Sequence, residues 1–339
     1  MKALFIGGTG TISNDIVKLA AARGWEMTLL NRGTRALKLP EGVKTITADI
    51  NDEAAVVKAV EGLHFDVIAD FICFTPEQAQ RDVRVFSGKC DQFFFISTAS
   101  AYHKPVNHPV ITESTPLHNP HWQYSRDKAA CEDVLMKAYR ESGFPVTIIR
   151  PSHTYCERTM PVPIHGKFGA YQVFKRILEG KPVIVPGDGT SLWTVTHSTD
   201  FAKAFVGLMG HCKAIGEAFT ITSDEQLTWN QIVKGIGRAI GREAICYHVA
   251  SDFIVACDPN MEGPLLGDKS NTVIFDNTKV KTLVPDFVCT TRFDLGVRMY
   301  WNYLNANPEK KVEDPEFDAW CDRVIEAHEA GKRAFAAMN

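Results

Sequence analysis

A glycine-rich turn near the N-terminus constrains the fold of this chain more than any other feature. The apolar run Ala3–Ile6 leads directly into the turn Gly7-Gly8-Thr9-Gly10-Thr11-Ile12-Ser13. Such an unbroken run is typical of a strand that is buried on both faces of a parallel sheet. Apolar residues then recur at helical spacing from Ile16 to Ala22, and Met27–Leu30 is typical of a second strand. The N-terminus therefore predicts a complete βαβ unit.

The same turn predicts a phosphate-binding site. Glycines let the backbone approach a pyrophosphate, whose charge then faces the N–H groups at the start of the helix. The spacing is Gly7-x-x-Gly10-x-x-Ser13, one residue different from the usual G-x-G-x-x-G pattern. An ordinary strand-to-helix turn is the alternative, but the strand before and the helix after favour dinucleotide binding. We expect Gly7, Gly10, Thr11 and Ile12 to contact the dinucleotide.

The end of the second strand bears on which dinucleotide is bound. It reads Asn31-Arg32-Gly33, with Arg35 close behind. Folds that bind NAD usually place an acidic residue here for the ribose hydroxyls, whereas an arginine suits the additional phosphate of NADP. The acid is absent and Arg32 follows directly, so NAD or NADP is expected, with NADP favoured. A solvated loop arginine is the alternative.

Composition excludes several classes of protein. With 339 residues, 45% of them hydrophobic, the chain is long enough for one large domain and a smaller companion. A net charge of −3 argues against a nucleic-acid or membrane-surface partner, and no apolar run is long enough to span a membrane. Nothing resembles a signal peptide. The nine cysteines lack paired spacing, which predicts reduced thiols in a cytoplasmic protein and no metal site.

Strands and helices alternate through the first half of the chain. Further strands are predicted at Val43–Ala48, Phe65–Phe71 and Phe93–Ile96, with helices from Ala54 and from Pro76 between them. This regular alternation predicts an α/β fold with a doubly wound parallel sheet, whose ligand lies across the carboxyl ends of the strands.

Two groups of residues beyond the fifth strand carry chemistry. The strand runs into the hydroxyl cluster Ser97-Thr98-Ala99-Ser100-Ala101-Tyr102, and Tyr124 stands four residues before Lys128 at the start of a helix. Residues four apart share a helix face, so this pair can act on one ligand. A second Tyr-x-x-x-Lys match, Tyr171 with Lys175, lies outside the nucleotide-binding half and is interpreted as a chance occurrence.

These motifs, in this order, resemble the extended short-chain dehydrogenase/reductase superfamily, which contains the NAD-dependent epimerases and dehydratases of nucleotide sugars. The resemblance covers about the first 220 residues. It is carried by Gly7-Gly8-Thr9-Gly10, Asp49-Ile50, Ser97 to Tyr102, Glu113 with Pro116 and Pro120, Tyr124-x-x-x-Lys128, Arg150-Pro151, and Gly187-Asp188-Gly189 followed by Asp200. It implies a Rossmann-type sheet with a smaller C-terminal α/β substrate-binding domain. It also implies a homodimer formed through the helices that begin near Pro76 and Tyr124.

The resemblance further implies roles for individual residues. Tyr124 corresponds to the catalytic acid/base, Lys128 to its partner, and Thr98 to the hydroxyl that holds the reacting oxygen. Lys128 also holds the nicotinamide ribose. The remaining expected cofactor contacts, in addition to the turn residues and Asn31 and Arg32, are Asp49, Ile50, Phe71, Cys73, Ser97, Tyr124, Lys128 and Pro151.

A phenol needs help to act as a base at neutral pH. Its pKa is about 10 in isolation, and nearby cations lower that value. Lys128 and the positive nicotinamide ring can lower it, which lets Tyr124 take a proton from a substrate hydroxyl as hydride leaves the carbon. Thr98 then stabilises the developing carbonyl oxygen.

The chain departs from the family pattern in the region expected to bind substrate. His153 replaces an asparagine that commonly contacts the sugar, and Trp193 stands where nucleotide-sugar enzymes usually carry a diphosphate-binding arginine. Thr98, Ser100, His153 and Trp193 are therefore the expected substrate contacts. For a nucleotide sugar, the nearest cations are Arg158, Lys167 and Arg176. Otherwise Trp193 stacks on a ring without a diphosphate.

We predict two domains and an enzymatic function. Residues 1–156 form the dinucleotide-binding domain, to which 190–212 return, and residues 157–189 and 213–339 form the substrate-binding domain. The first hypothesis is an NAD(P)-dependent epimerase or dehydratase of a sugar or nucleotide sugar. The alternatives are an NADP-dependent reductase of a small carbonyl compound and a noncatalytic dinucleotide-sensing or RNA-associated relative.

Overall fold

The computed structural model describes residues 1–33 and 39–338, so the Arg35 noted above lies outside the described residues. The strands are β1 (Lys2–Ile6), β2 (Glu26–Asn31), β3 (Lys44–Thr47), β4 (Phe65–Asp70), β5 (Cys90–Ile96), β6 (Val110–Ile111), β7 (Val146–Pro151), β8 (His153–Tyr155), β9 (Val183–Pro186), β10 (Leu192–His197), β11 (Ala218–Ile221), β12 (Gln226–Thr228), β13 (Cys246–Val249) and β14 (Ile274–Phe275). The α-helices are α1 (Ser13–Ala22), α2 (Glu53–Ala59), α3 (Pro76–Phe86), α4 (Gln123–Ser142), α5 (Tyr171–Leu178), α6 (Ser198–Leu208), α7 (Trp229–Ala239), α8 (Ser251–Cys257), α9 (Glu262–Pro264), α10 (Thr278–Leu283), α11 (Phe293–Ala306) and α12 (Pro315–Ala336).

A seven-stranded sheet forms the larger part of the molecule. Its strand order is β11-β7-β5-β4-β1-β2-β3, and every neighbouring pair is parallel. The order turns back at β1 and β4, because the chain builds outward from β1 to β3 and then from β4 in the other direction. The predicted doubly wound α/β fold is therefore confirmed.

The central strand β1 shows why the sequence forms a strand covered on both faces. Leu4 and Ile6 join an apolar core shared with helices α3 and α4, whereas Ala3 and Phe5 join a second core shared with α1 and α6. All four side chains are 0% exposed. Consecutive residues of a strand point to opposite faces, so an unbroken apolar run is required when both faces are covered.

A separate apolar core organises the rest of the chain. It lies beneath small sheets made of β12-β10-β8, β13-β9 and β14-β6, and includes side chains from α5, α7, α11 and α12. None of the helices within the described ranges is both long and apolar enough to cross a membrane.

The predicted boundary at residue 212 needs a correction. Residues 213–339 were expected to lie in the second domain, but β11 pairs with β7 as the edge strand of the large sheet. Val280 and Phe287 also pack in the core on the α1 and α6 face of that sheet. β11 pairs the backbone edge that β7 would otherwise leave open, and its side chains Phe219 and Ile221 are buried in the same core. The remainder of the domain division stays a prediction.

Candidate active site

The glycine turn closes through a side chain rather than through glycines alone. Gly7 has a φ of +78°, and a Cβ there would lie 2.8 Å from Cγ2 of Ile72, so only glycine fits. Ser13 Oγ accepts a hydrogen bond from the Gly10 N–H at 2.9 Å and donates one to the Gly7 carbonyl at 2.8 Å. Serine at the third small position therefore bridges the turn. No side chain caps the start of α1, which leaves its N–H groups for an anion.

A cavity of about 530 Å³ opens at the carboxyl ends of β1, β2 and β4. The expected cofactor residues that line it are Gly7, Gly10, Thr11, Ile12, Asn31, Arg32, Asp49, Ile50 and Phe71. The cavity joins the phosphate-binding turn to a polar region at the end of β2, where the Arg32 side chain is exposed. This combination suits a nicotinamide dinucleotide, which is long, anionic in the middle and polar at its ribose groups.

Five expected cofactor contacts are not among the residues that line this cavity: Cys73, Ser97, Tyr124, Lys128 and Pro151. The side chain of Cys73 is 0% exposed and belongs to the apolar core, and its backbone carbonyl accepts a hydrogen bond from Lys128. Ser97 is also buried, because its hydroxyl donates to the Glu132 carboxylate. Tyr124 and Pro151 line a different cavity, described next, and Lys128 is in the lining of neither. The packing of the Cys73 and Ser97 side chains directs them away from the cofactor cavity.

A second cavity of about 180 Å³ lies between the large sheet and the C-terminal region. It brings together the expected residues Thr98, Ser100, Tyr124, His153 and Trp193, although they come from four separate parts of the chain. The residues that sequence reasoning missed are Ala99, Trp122, Ser152, Asp268, Val273 and Phe275. The proximity of Trp122 to Tyr124 was a usable signal, whereas no local motif marked Asp268.

A chain of hydroxyls supports Thr98. The Thr98 Oγ1 atom lies 3.0 Å from Ser100 Oγ, which in turn lies 2.7 Å from Ser125 Oγ. Thr98 Oγ1 also accepts a hydrogen bond from the backbone N–H of Ser100. These contacts hold the Thr98 hydroxyl at the cavity wall.

Lys128 lies next to the larger cavity, in contact with Phe74 and Ile96 of its lining, and is tightly held. Its Nζ donates hydrogen bonds of 2.6 Å to the carbonyl oxygens of Cys73 and Ile96, and it lies 4.7 and 4.8 Å from the ring centres of Phe74 and Phe95. Burial lowers the pKa of its ammonium group. The side chain is thus fixed between the carboxyl ends of β4 and β5, next to the cofactor cavity.

The pKa of Tyr124 is shifted upward rather than downward. Burial raises the pKa of the phenol, and a hydrogen bond with Thr98 offsets part of this effect. The ammonium of Lys128 is directed at backbone carbonyls instead. The expected lowering of the phenol pKa by Lys128 is therefore corrected: the polypeptide alone does not produce it.

The second Tyr-x-x-x-Lys match lies away from both cavities. Lys175 Nζ is 2.6 Å from Glu313 Oε2, in a contact between α5 and the segment before α12. Two of the cations considered for a diphosphate are also occupied by ion pairs: Arg176 is buried against Asp318 and Asp322, and Lys167 pairs with Glu316. Only Arg158 reaches the site, with Nη2 3.4 Å from the Gly10 carbonyl.

Trp193 is largely a core residue. It is 2% exposed, its ring centre lies 5.2 Å from that of Trp229, and its Nε1 has no acceptor among the described residues. Its contact with His153 is edge-on at 5.6 Å. The expectation that Trp193 stacks openly on a substrate ring is therefore corrected, although one part of the indole borders the cavity. The described part of the chain contains no group of three or more His, Cys, Asp or Glu side chains arranged for a metal ion.

The fold and these two cavities define an enzyme of the extended short-chain dehydrogenase/reductase type. Residues 3–222 match the family described as NAD dependent epimerase/dehydratase, and the chain belongs to this family. The matched residues include the large sheet, the glycine turn that lines the larger cavity, Thr98, and the Tyr124–Lys128 pair. The family description and that lining support NAD(P) as the cofactor.

Individual relatives are distant. The chain is 23% identical over 243 residues to 2'-dehydrokanamycin reductase of Streptomyces kanamyceticus, a match that spans 71% of this chain and 67% of that protein. It is 25% identical over 253 residues to the chloroplast stem-loop binding protein of 41 kDa b of Arabidopsis thaliana, spanning 71% of this chain but 63% of the relative. The fold is similar to that of Bacillus cereus UDP-glucuronic acid 4-epimerase in complex with UDP-glucuronic acid and NAD, with a TM-score of 0.71, 19% identity and coverage of 90% and 99% of the two chains.

Proposed function

We propose that this protein transfers a hydride between NAD(P) and a hydroxyl-bearing or keto carbon of a sugar or nucleotide sugar, as an epimerase or dehydratase. The observation that carries the proposal is the lining of the smaller cavity by both Thr98 and Tyr124, with Lys128 fixed against Phe74 and Ile96, which line the larger cavity. In this proposal, a substrate carbon held in the smaller cavity receives or gives the hydride of a nicotinamide held in the larger one.

Each residue has a distinct task in this proposal. Tyr124 exchanges a proton with the substrate oxygen, and Thr98 donates a hydrogen bond to that oxygen as it gains carbonyl character. Lys128 is held in place by its hydrogen bonds to two backbone carbonyls, and it orients the cofactor ribose. The bound nicotinamide supplies the hydride chemistry, and the positive charge of its oxidised ring would favour the tyrosinate.

The finer cofactor preference follows from the end of β2. Asn31 stands where an acid would bind the adenosine ribose, and its Oδ1 accepts a hydrogen bond from the Gly33 N–H. Arg32 beside it is exposed and lines the cavity. These features favour NADP over NAD, because an arginine can pair with the additional phosphate.

Two other functions have some support. The similarity to 2'-dehydrokanamycin reductase favours simple reduction of a carbonyl compound, which would release oxidised cofactor at each turnover. The similarity to the stem-loop binding protein favours an RNA-associated relative. The buried Lys128 and the hydroxyl chain at Thr98 argue for catalysis, since RNA binding requires neither.

The decisive experiment compares Tyr124→Phe with Tyr171→Phe. Both variants are loaded with NAD or NADP and incubated with UDP-, dTDP- and GDP-sugars, and product mass and nicotinamide absorbance are followed. We expect Tyr124→Phe to abolish turnover with little change in cofactor affinity, because it removes the proton carrier alone. Tyr171→Phe is the matched control and should retain activity. Equal behaviour of the two variants would refute the assignment of Tyr124.

Three further expectations belong to this proposal. The substrate is a small molecule, most simply a sugar derivative, and neither nucleic acid nor a membrane is a partner. The protein forms a homodimer through α3 and α4, which pack against each other within one chain. Its location is cytoplasmic. Sedimentation of the purified protein tests the second of these expectations.

A further inference from the structure

Asp268 is the charged group of the substrate cavity. Among the described residues that line this cavity, it is the only one with a carboxylate or an ammonium group. The cavity's histidine, His153, stays neutral near neutral pH because burial and the charge of Lys269 lower its pKa to about 3. The wall that faces Thr98 and Tyr124 therefore carries one negative charge and no positive one.

The backbone around Asp268 is held rigidly. Residues Leu265–Lys269 form a π-helix, a rare conformation that occurs frequently at functional sites. Asn119 Nδ2 donates to the Gly267 carbonyl at 2.7 Å, while Trp229 Nε1 and Ser191 Oγ donate to the Lys269 carbonyl at 3.0 and 3.2 Å. Both sides of Asp268 are thus anchored.

The same anchor connects Asp268 to the catalytic segment. Asn119 Nδ2 also donates to the carbonyl oxygen of Ser100, two residues after Thr98. A Cβ at Gly267 would lie 3.0 Å from Asn119 Oδ1 and 3.2 Å from Trp122 Cβ, so the two segments are in close contact. The backbone at Asp268 is consequently fixed relative to the segment that carries Thr98.

Two lysines lie near this carboxylate without binding it directly. Lys104 is 1% exposed and its Nζ has no hydrogen-bond partner among the described residues, and Lys269 is 8% exposed. The charges of both lysines act to lower the pKa of Asp268, whereas burial raises it more strongly, to about 6. The carboxylate is therefore ionised at neutral pH. No hydrogen bond from the described residues contributes to the shift of its pKa.

We infer that Asp268 is a substrate-binding residue that accepts hydrogen bonds from hydroxyl or ammonium groups of the sugar ring held at Tyr124, so that the ring is neutral or an amino sugar and not a uronic acid. This inference rests on the proposed function and specifies its substrate class. An ionised carboxylate in a small cavity favours a donor and opposes a second carboxylate. The diphosphate of a nucleotide sugar, if present, lies outside this cavity.

Matched sugars test the inference. Calorimetry on the NADP-loaded wild-type protein compares glucosamine, glucose and glucuronate, each as the free sugar and as its UDP derivative. Whichever form binds, the free sugar or the UDP derivative, we expect glucosamine or glucose to bind at least about tenfold more tightly than glucuronate. Asp268→Asn should reduce the preference to within about threefold, because the amide lacks the charge. Asp268→Glu should retain much of it, and the exposed Asp286→Asn is the matched control.

The outcomes separate this inference from the proposed function. Glucuronate binding equal to or tighter than glucosamine and glucose, or an unchanged preference in Asp268→Asn, overturns the role of Asp268 while leaving hydride transfer intact. Loss of the preference in Asp268→Asn together with full turnover by Tyr124→Phe supports Asp268 and refutes the proposed chemistry. If none of the sugars binds although NADP does, both the sugar substrate and the role of Asp268 are wrong.

Discussion

The amide of Asn119 lies 2.7 Å from the carbonyl oxygen of Gly267, a residue 148 positions further along the chain. The same Nδ2 atom donates to Ser100, so one buried side chain ties the hydroxyl segment of the large sheet to the π-helix of the C-terminal region. The geometry of the substrate cavity depends on this link, because Thr98 and Asp268 stand on its two sides.

Replacing Asn119 should therefore destabilise the protein. Asn119→Ala leaves two buried carbonyl groups without a donor, and we expect the free energy of unfolding to fall by about 2 kcal/mol. Urea denaturation measures this loss. Asn305→Ala, at an exposed position of α11, is the control and should change stability little. A loss no larger than that of the control would mean that water replaces both hydrogen bonds.

Arg32 should distinguish the two dinucleotides. Because its exposed guanidinium lines the cofactor cavity beside Asn31, we expect Arg32→Ala to weaken NADP binding about tenfold and to leave NAD binding nearly unchanged. Calorimetric titration of both cofactors measures the difference. Arg23→Ala, an exposed arginine after α1, serves as the control. Tighter binding of NAD that does not depend on Arg32 would remove the basis for an NADP preference.

Arg158 should act on the cofactor rather than on a substrate diphosphate. Its guanidinium donates a hydrogen bond to the Gly10 carbonyl of the phosphate-binding turn. We expect Arg158→Ala to weaken NADP binding several-fold, as measured by calorimetry, because an arginine here can pair with the pyrophosphate. Lys167→Ala is the comparison, since its exposed ion pair with Glu316 contributes little. If the variant bound NADP normally but had lost affinity for UDP, Arg158 would be a contact of the substrate diphosphate instead.

The sequence predicts the large sheet and the cofactor cavity well because their signals are local. The run Ala3–Ile6 and the turn from Gly7 to Ser13 are contiguous, and a strand that ends in glycines before a helix has few other structures available. The bridging role of Ser13 was not predicted, since it depends on the distance of a hydroxyl to Gly7 after the turn has formed.

The substrate cavity was predicted only in part, because long-range packing forms it. The family pattern predicted the position of Trp193 but not its burial. Trp193 packs against Trp229 of α7, which lies 36 positions further along the chain. Asp268 carries no motif, and its place beside Tyr124 results from the contact of Gly267 with Asn119 and Trp122. Similarly, β11 is a short strand whose partner β7 lies about 70 residues earlier, a pairing that no local pattern specifies.

The two titratable residues of the substrate cavity should affect stability in opposite directions between pH 7 and pH 5. The pKa of His153 falls from 6.5 to about 3 on folding, so the unfolded chain binds the extra proton and stability decreases as the pH falls below 6.5. The pKa of Asp268 rises from 3.8 to about 6, so the folded chain binds the extra proton and stability increases as the pH falls through 6.

Each effect amounts to roughly 1–2 kcal/mol over this interval, so in the wild type they largely offset each other. We expect His153→Gln to make the protein relatively more stable at pH 5 than at pH 7, because the effect of Asp268 then acts alone. Asp268→Asn should do the reverse and lose stability on acidification. Urea denaturation of both variants and of the wild type at the two pH values measures these differences. Shifts of the same sign in both variants would show that the charges of Lys104 and Lys269, rather than burial, dominate the titration of this cavity.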